Sequence, residues 1–264
     1  MHFQKTVFAL FASVSLAGAV QAAPNVDSER QEYKTFAVDK IDALVAQTQQ
    51  FVDLLNEGNL QEAKKLYPIV RMNFETAEPI AESFGDLDPR IDARKADLEP
   101  NEEWTGFHPI EEILWVNNTT DGTEKYTAQL MSDVKELRAK VSTVEVTPEL
   151  MVQGAVDLLN EVSTSKISGE EEIFSHTDLY DFQGNIDGAE KIFDIFKPKL
   201  TQIDADLVKT LDTRFAEVNQ LLADQKVGDE FKYYTELTES EIAGLAEAVN
   251  KLGEPLAQMG IILE

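Results

Sequence analysis

The chain has no cysteine, three histidines and two tryptophans in 264 residues. Without thiols it can form no disulfide, no cysteine nucleophile and no cysteine-linked lipid. Basic residues are scarce as well: 23 Lys and Arg stand against 49 Asp and Glu, a formal charge of −26. Phosphate recognition rests on Lys and Arg, so nucleic acid is excluded as a partner and an anionic lipid surface would repel the chain. What such a surface suits is a cation, although acidity alone also serves solubility. Gly-x-Ser-x-Gly elbows and Gly-rich phosphate loops are missing, and no nucleophile–base pair stands out.

Long apolar runs are lacking except at the start. "MHFQKTVFALFASVSLAGAVQAAP" has one Lys, an apolar run from Val7 to Val20 and small residues after it. The run is too short to span a bilayer, and its flank is that of a cleavage site. A secretory signal peptide over residues 1–22 is expected, cut after Ala22 or, as second choice, after Ala23. The mature chain is then expected to be exported and soluble, with no membrane anchor. It is long enough to bury a core without disulfides.

The remainder has helical periodicity almost throughout. Phe36, Ile41, Leu44, Val45, Phe51, Val52 and Leu55 share one broad face, and Gly58 marks the stop. A second helix is expected from Leu60 to about Phe84, bent at Pro68. "GDLDPRIDARKADLEPNEEWTG" reads as a long loop, followed by a short helix from His108 to about Val116. Further helices are expected at 121–142, at 147–167 with Thr147-Pro148 as its start, after a second acidic segment, and at 203–225 and 238–260. No convincing strand occurs. The prediction is an all-α fold of two packed four-helix bundles forming one elongated body, with halves at about 23–142 and 143–264.

Two places carry chemistry. Arg71, Glu75, Glu78 and Glu82 form one stripe along the second helix, beside Val70, Phe74, Ala77 and Ala81. Solvated, those glutamates would be a wet face. With an apolar flank and the acids Asp86, Asp88 and Asp92 following, they suit a cation. In "EWTGFHPIEEILW", His108 precedes Glu111 by three residues. Pro109 suggests His108 as the helix cap and Glu111 as the third helical residue, so the carboxylate could fold back on the helix start. The same spacing makes an imidazole–carboxylate pair for a divalent ion. A zinc peptidase motif would need a second histidine where Glu112 stands, and His176 lies in what reads as a turn.

The blocks "FETAEPIAESFGDLDPRIDARKADLEPNEEWTGFHPIEEILW" and "SKISGEEEIFSHTDLYDFQGNIDGA" resemble the imelysin-like family of periplasmic iron-uptake proteins, the EfeO group. With no preceding cupredoxin-like domain, the chain is similar to the single-domain EfeM type. The resemblance implies a double four-helix bundle whose G-x-H-x-x-E motif, here Gly106, His108 and Glu111, binds metal. It carries Glu75, Glu78, Asp92 and Glu171 over as further ligands, with Pro109 a departure from relatives that have a basic residue there. It also implies a periplasmic location, an inner-membrane iron permease and a haem-peroxidase-type partner. Iron is the expected metal, and zinc or copper can substitute in a mostly oxygen site. A binding protein is expected rather than an enzyme. The alternatives are a metallopeptidase, or a metal-dependent binder of an acidic polysaccharide such as alginate, with Tyr180, Tyr233 and Tyr234 available for stacking.

Overall fold

The computed structural model describes residues 25–263, so the expected signal peptide lies outside the described residues. The fold is all-α. The long helices are α1 (Asp27–Asn56), α2 (Leu60–Ala81), α5 (Glu124–Val141), α6 (Pro148–Thr164), α7 (Asp178–Ile203), α8 (Ala205–Ala223) and α9 (Glu239–Leu263). Two short helices, α3 (Leu87–Asp92) and α4 (His108–Glu112), sit between α2 and α5. No described helix is long and apolar enough to cross a membrane.

The periodicity builds the elements for ordinary reasons. Tyr33, Ala37, Ile41, Leu44, Thr48, Phe51 and Leu55 recur at three or four residues along α1 and are all buried. Gly58, at φ +73°, then turns the chain into α2. Thr147 caps α6 by accepting from the Leu150 amide at 3.2 Å, with Pro148 in the first helical position.

Helices α6 to α9 pack as one four-helix bundle, each touching its neighbours. In the other bundle α1, α2 and α5 supply three long helices, and the short α3 packs against α5 and α2. Phe107, at the start of α4, packs its ring near Phe51 of α1 and Tyr67 of α2. Helices α2 and α7 lie at the contact between the bundles, and α2 also touches α1 and α6. Because α2 is covered on several sides, every residue from Phe74 to Ala81 is buried, acids included. That decides where the chemistry sits.

Three expectations are corrected. The segment expected as a long loop at 85–106 contains α3 and a 3₁₀ turn at Lys95–Asp97, because Leu87 and Ile91 find core to bury in. The second helix ends at Ala81, and Glu82–Phe84 tighten into a 3₁₀ turn before Gly85 at φ +65°. A small hairpin pairs Lys226–Val227 with Glu230–Phe231 around Gly228, too short to register as period-two alternation.

Two glycines let α7 approach α2 closely. A Cβ at Gly184 would lie 2.9 Å from the Met72 carbonyl oxygen, and one at Gly188 would lie 2.7 Å from that of Thr76. Both obstacles are backbone, which cannot swing aside. Gly188→Ala is therefore expected to destabilise the protein by about 1–3 kcal/mol, read as a lower denaturation midpoint. An unchanged midpoint would mean that the two helices are free to separate.

Candidate metal centre

Pro79 shapes the centre of α2. Lacking an N–H, it leaves the carbonyl of Glu75 without its usual helical partner. Asn185 of α7 fills the vacancy, its Nδ2 donating to that carbonyl at 3.3 Å, to Glu75 Oε2 at 3.0 Å and to Glu78 Oε2 at 3.1 Å. On α6, Gly154 makes room for the proline ring, since a Cβ there would come within 2.4 Å of it. A break in one helix thus becomes a polar joint between two.

Arg71, one turn earlier on α2, is wholly buried. Its guanidinium donates to Glu75 Oε1 at 2.8 Å and pairs with Asp92. It lies 3.4 Å from Glu171 Oε1, contacts Glu172 and stands 3.3 Å from Asp181 Oδ1. The ring of Phe107 covers it at 5.9 Å. Lys166, also buried, pairs with Glu75 and stands 3.4 Å from Glu161, 3.8 Å from Glu78 and 3.8 Å from Glu171. Carboxylates outnumber these two cations, and burial pushes Glu78 and Asp181 well above the usual carboxylate range.

His108 is the first residue of α4, with Phe107 before it as the cap residue. The expected capping role for His108 and Glu111 is corrected: no side chain caps α4. Pro109 sits second in the helix, where its missing N–H costs nothing. Glu111 turns instead toward the segment before α7. Its Oε1 accepts from the amides of Phe174 at 3.0 Å and Ser175 at 2.7 Å, and its Oε2 meets His108 Nδ1 at 3.1 Å. Burial pushes Glu111 up, but the His108 imidazole, a hydrogen bond with Glu172 and the Ser175 amide outweigh it and hold the carboxyl below its ordinary value. Glu172 goes the other way, raised by burial and by the neighbouring Glu111.

A proton on Nδ1, given to Glu111, leaves Nε2 with a lone pair. That atom is buried, has no hydrogen-bond partner and lies 3.7 Å from Asp92 Oδ1. A buried, unsatisfied nitrogen is costly unless something completes it. Asp92, His108 and Glu171 each offer a ligand atom within 4.8 Å of one another, and so do His108, Glu111 and Glu172. The donor set of one imidazole nitrogen and several carboxylate oxygens fits a hard or borderline metal ion. A cleft of about 220 Å³ reaches it, bordered by Asp88, Asp92, Arg94, Asp97, Glu161, Lys166 and Glu171.

Gly106 explains how Asp92 comes so near His108. At φ +90° its Cα faces the Ile91 carbonyl, 2.1 Å from where a Cβ would stand, and the Phe107 amide donates to that carbonyl at 2.9 Å. The glycine of the G-x-H-x-x-E motif therefore docks α3 against α4.

Of the residues expected from the sequence, Asp92, His108, Glu111 and Glu171 come together. Glu75 and Glu78 stand outside both donor groups, turned to Arg71, Lys166 and Asn185. Glu82, the last of the stripe, is exposed. Among the three glutamates in a row, Glu170 faces solvent while Glu171 and Glu172 both face inward. Lys166, Asp181 and Asn185 were not anticipated. A usable signal existed for two of them: Asp181 and Asn185 recur with Asp178 at helical spacing among Leu179, Phe182 and Ile186. Tyr234 is buried against the loop that carries Glu171, whereas Tyr180 is partly exposed and Tyr233 exposed.

The imelysin peptidase M75 family model matches residues 29–259. The chain belongs to the imelysin family. It is 50% identical over 238 residues to a Staphylococcus haemolyticus (strain JCSC1435) protein named an Efem/EfeO family lipoprotein, covering 89% of this chain and 83% of that relative. A Staphylococcus aureus (strain MSSA476) protein of the same name is 46% identical over 237 residues, covering 88% and 84%. These imelysin relatives are lipoproteins by name, whereas this family member has no cysteine. A crystal structure from Parabacteroides distasonis, assigned as an iron-regulated protein A precursor, superposes with a TM-score of 0.73 at 13% identity, over 93% of this chain and 97% of that one. That likeness places the fold in the same architecture.

Asp88 borders the cleft, where burial and then the neighbouring Asp92 push its carboxyl up to about 8. A carboxyl raised in the folded state adds stability below its ordinary pKa, near 4, and loses it as pH climbs through the raised value. Asp178, raised to about 6 chiefly by burial, acts with the same sign. The thermal midpoint of the metal-free protein should fall between pH 5 and pH 8 from these groups. Asp88→Asn should flatten that fall, and an undiminished slope in this variant would remove Asp88 as its source.

Proposed function

We propose that this protein captures iron outside the inner membrane and carries it to an inner-membrane permease. The observation that carries the reading is the buried His108 Nε2, without a partner and facing Asp92 in a group that Glu171 completes. In this reading Asp92, His108 Nε2 and Glu171 take the ion. Glu111 fixes the imidazole's orientation and tautomer through Nδ1, and Glu172 lies behind it. Glu75 and Glu78 act from one layer further out, through Lys166, rather than in the first contact. The acidic cleft raises the local concentration of cations before capture.

Family membership and the lipoprotein relatives support an exported protein of an iron-uptake system, in the periplasm, where a haem-peroxidase-type partner would act beside the permease. Zinc and copper fit the same N/O donors and bind such sites tightly, so preference for iron has to come from delivery or redox chemistry. A peptidase reading is less well supported. Glu111, the carboxylate nearest the imidazole in sequence, spends its oxygens on two backbone amides and on His108, which leaves it badly placed to activate a water.

Calorimetric titration of chelator-stripped protein with ferrous and ferric iron, zinc and copper tests the reading. His108→Ala, which removes a ligand outright, should weaken iron binding by at least the roughly 10- to 100-fold that losing an outer-shell partner costs. Asp92→Asn should weaken it less. Equal binding by the parent and the His108→Ala, Glu111→Ala double variant would overturn the proposal.

A further inference from the structure

The ammonium of Lys166 occupies a nest of carboxylates that a metal ion could equally well fill. Glu75, Glu78, Glu161 and Glu171 all face it within 4 Å. Glu171 is shared, because it also belongs to the donor group with Asp92 and His108. An ion seated there would bring its charge close to Nζ, and like charges at such separations in a poorly solvated site repel strongly.

Arg71 and Lys166 differ in how they could respond. Arg71 is wholly buried, is held from several directions by Glu75, Asp92, Glu172 and Asp181, and is covered by Phe107. A planar, multiply bonded guanidinium under an aromatic ring has nowhere to go. Lys166 has a flexible four-carbon stem and starts from a single 3₁₀ turn, Lys166–Ser168, that ends at Gly169 with φ +73°. It borders the cleft, and one of its partners, Glu161, has a side chain 35% exposed. A short pivot toward Glu161 would carry the ammonium to the cleft without breaking its last ion pair.

We infer that Lys166 is the internal counter-ion that iron displaces on entry and that returns to drive iron out. The inference rests on the metal-carrier reading above. In the empty protein the ammonium neutralises carboxylates that would otherwise be buried bare. When iron binds at Asp92, His108 and Glu171, the ammonium moves outward along Glu161. On release it comes back, so the ion leaves a site that is already compensated. Lys166 does not touch the cargo in this scheme; it sets the cargo's residence time.

Two measurements test this on the intact protein. Acetylation of surface amines, read peptide by peptide by mass spectrometry, should leave Lys166 protected in chelator-stripped protein while exposed Lys209 reacts. Loading with ferrous iron under anaerobic conditions should raise the reactivity of Lys166 severalfold and leave Lys209 unchanged. In Lys166→Met, iron transfer to an excess of a competing chelator should slow by about tenfold or more, because one opposing unit charge is gone. Lys166→Arg should stay closer to the parent. Protection of Lys166 that is the same with and without iron, or a Met variant that releases iron as fast as the parent, overturns the inference. If the parent binds through His108 but Lys166 stays protected, this inference alone fails. A parent that takes up no iron overturns the carrier reading with it.

Discussion

A guanidinium buried among carboxylates is the constraint on which the rest of this structure depends. Arg71 reaches acids from α2, from α3, from the segment before α7 and from α7 itself. Taking such charges out of water is expensive, and removing one partner leaves another uncompensated. The bundles therefore cannot shift against each other without exposing or stranding charge. Hydrophobic burial supplies most of the stability of the two bundles, while the ionic layer between them specifies how they meet.

Around that layer the ordinary rules of helix packing are bent in service of position. Pro79 deprives Glu75 of a helical bond, and Asn185 restores one from another helix. Gly184 and Gly188 remove side chains so that α7 can come near enough to do so. Gly106 performs the same task for α3 and α4. Each departure from good local structure coincides with a close approach of backbones, which is the pattern expected where local rules give way to a site.

The helices were legible in the sequence because their apolar periodicity is strong; α6, α8 and α9 follow it nearly to their ends, whereas α1 begins at Asp27, well before the stretch from Phe36 that carried its pattern. Helix α3 was missed because a six-residue helix rich in Asp and Arg, with a proline, has too little periodicity to read, and it forms only once Leu87 and Ile91 find the core. The donors were legible in part. His108, Glu111, Asp92 and Glu171 carry a motif or lie in distinctive blocks, so family likeness reaches them. Lys166 was opaque as a site residue for a physical reason: a lone cation in a helical stretch reads as a solvated residue, and only the tertiary structure reveals the carboxylates that converge on it. The capping role offered to His108 failed because the amides before α7 made a better partner for Glu111 than its own helix start.

The candidate donors are scattered along the chain, from Asp92 to Glu172, and no two adjoining helices hold them all. A peptide cut from either end of that span would keep a fragment of the chemistry and none of the capacity. On the proposed carrier reading, cargo and conformation are one variable: a proteolytic nick or local melting that loosens α2 from α7 would spill the ion, and an ion in place would shield the seam from proteases.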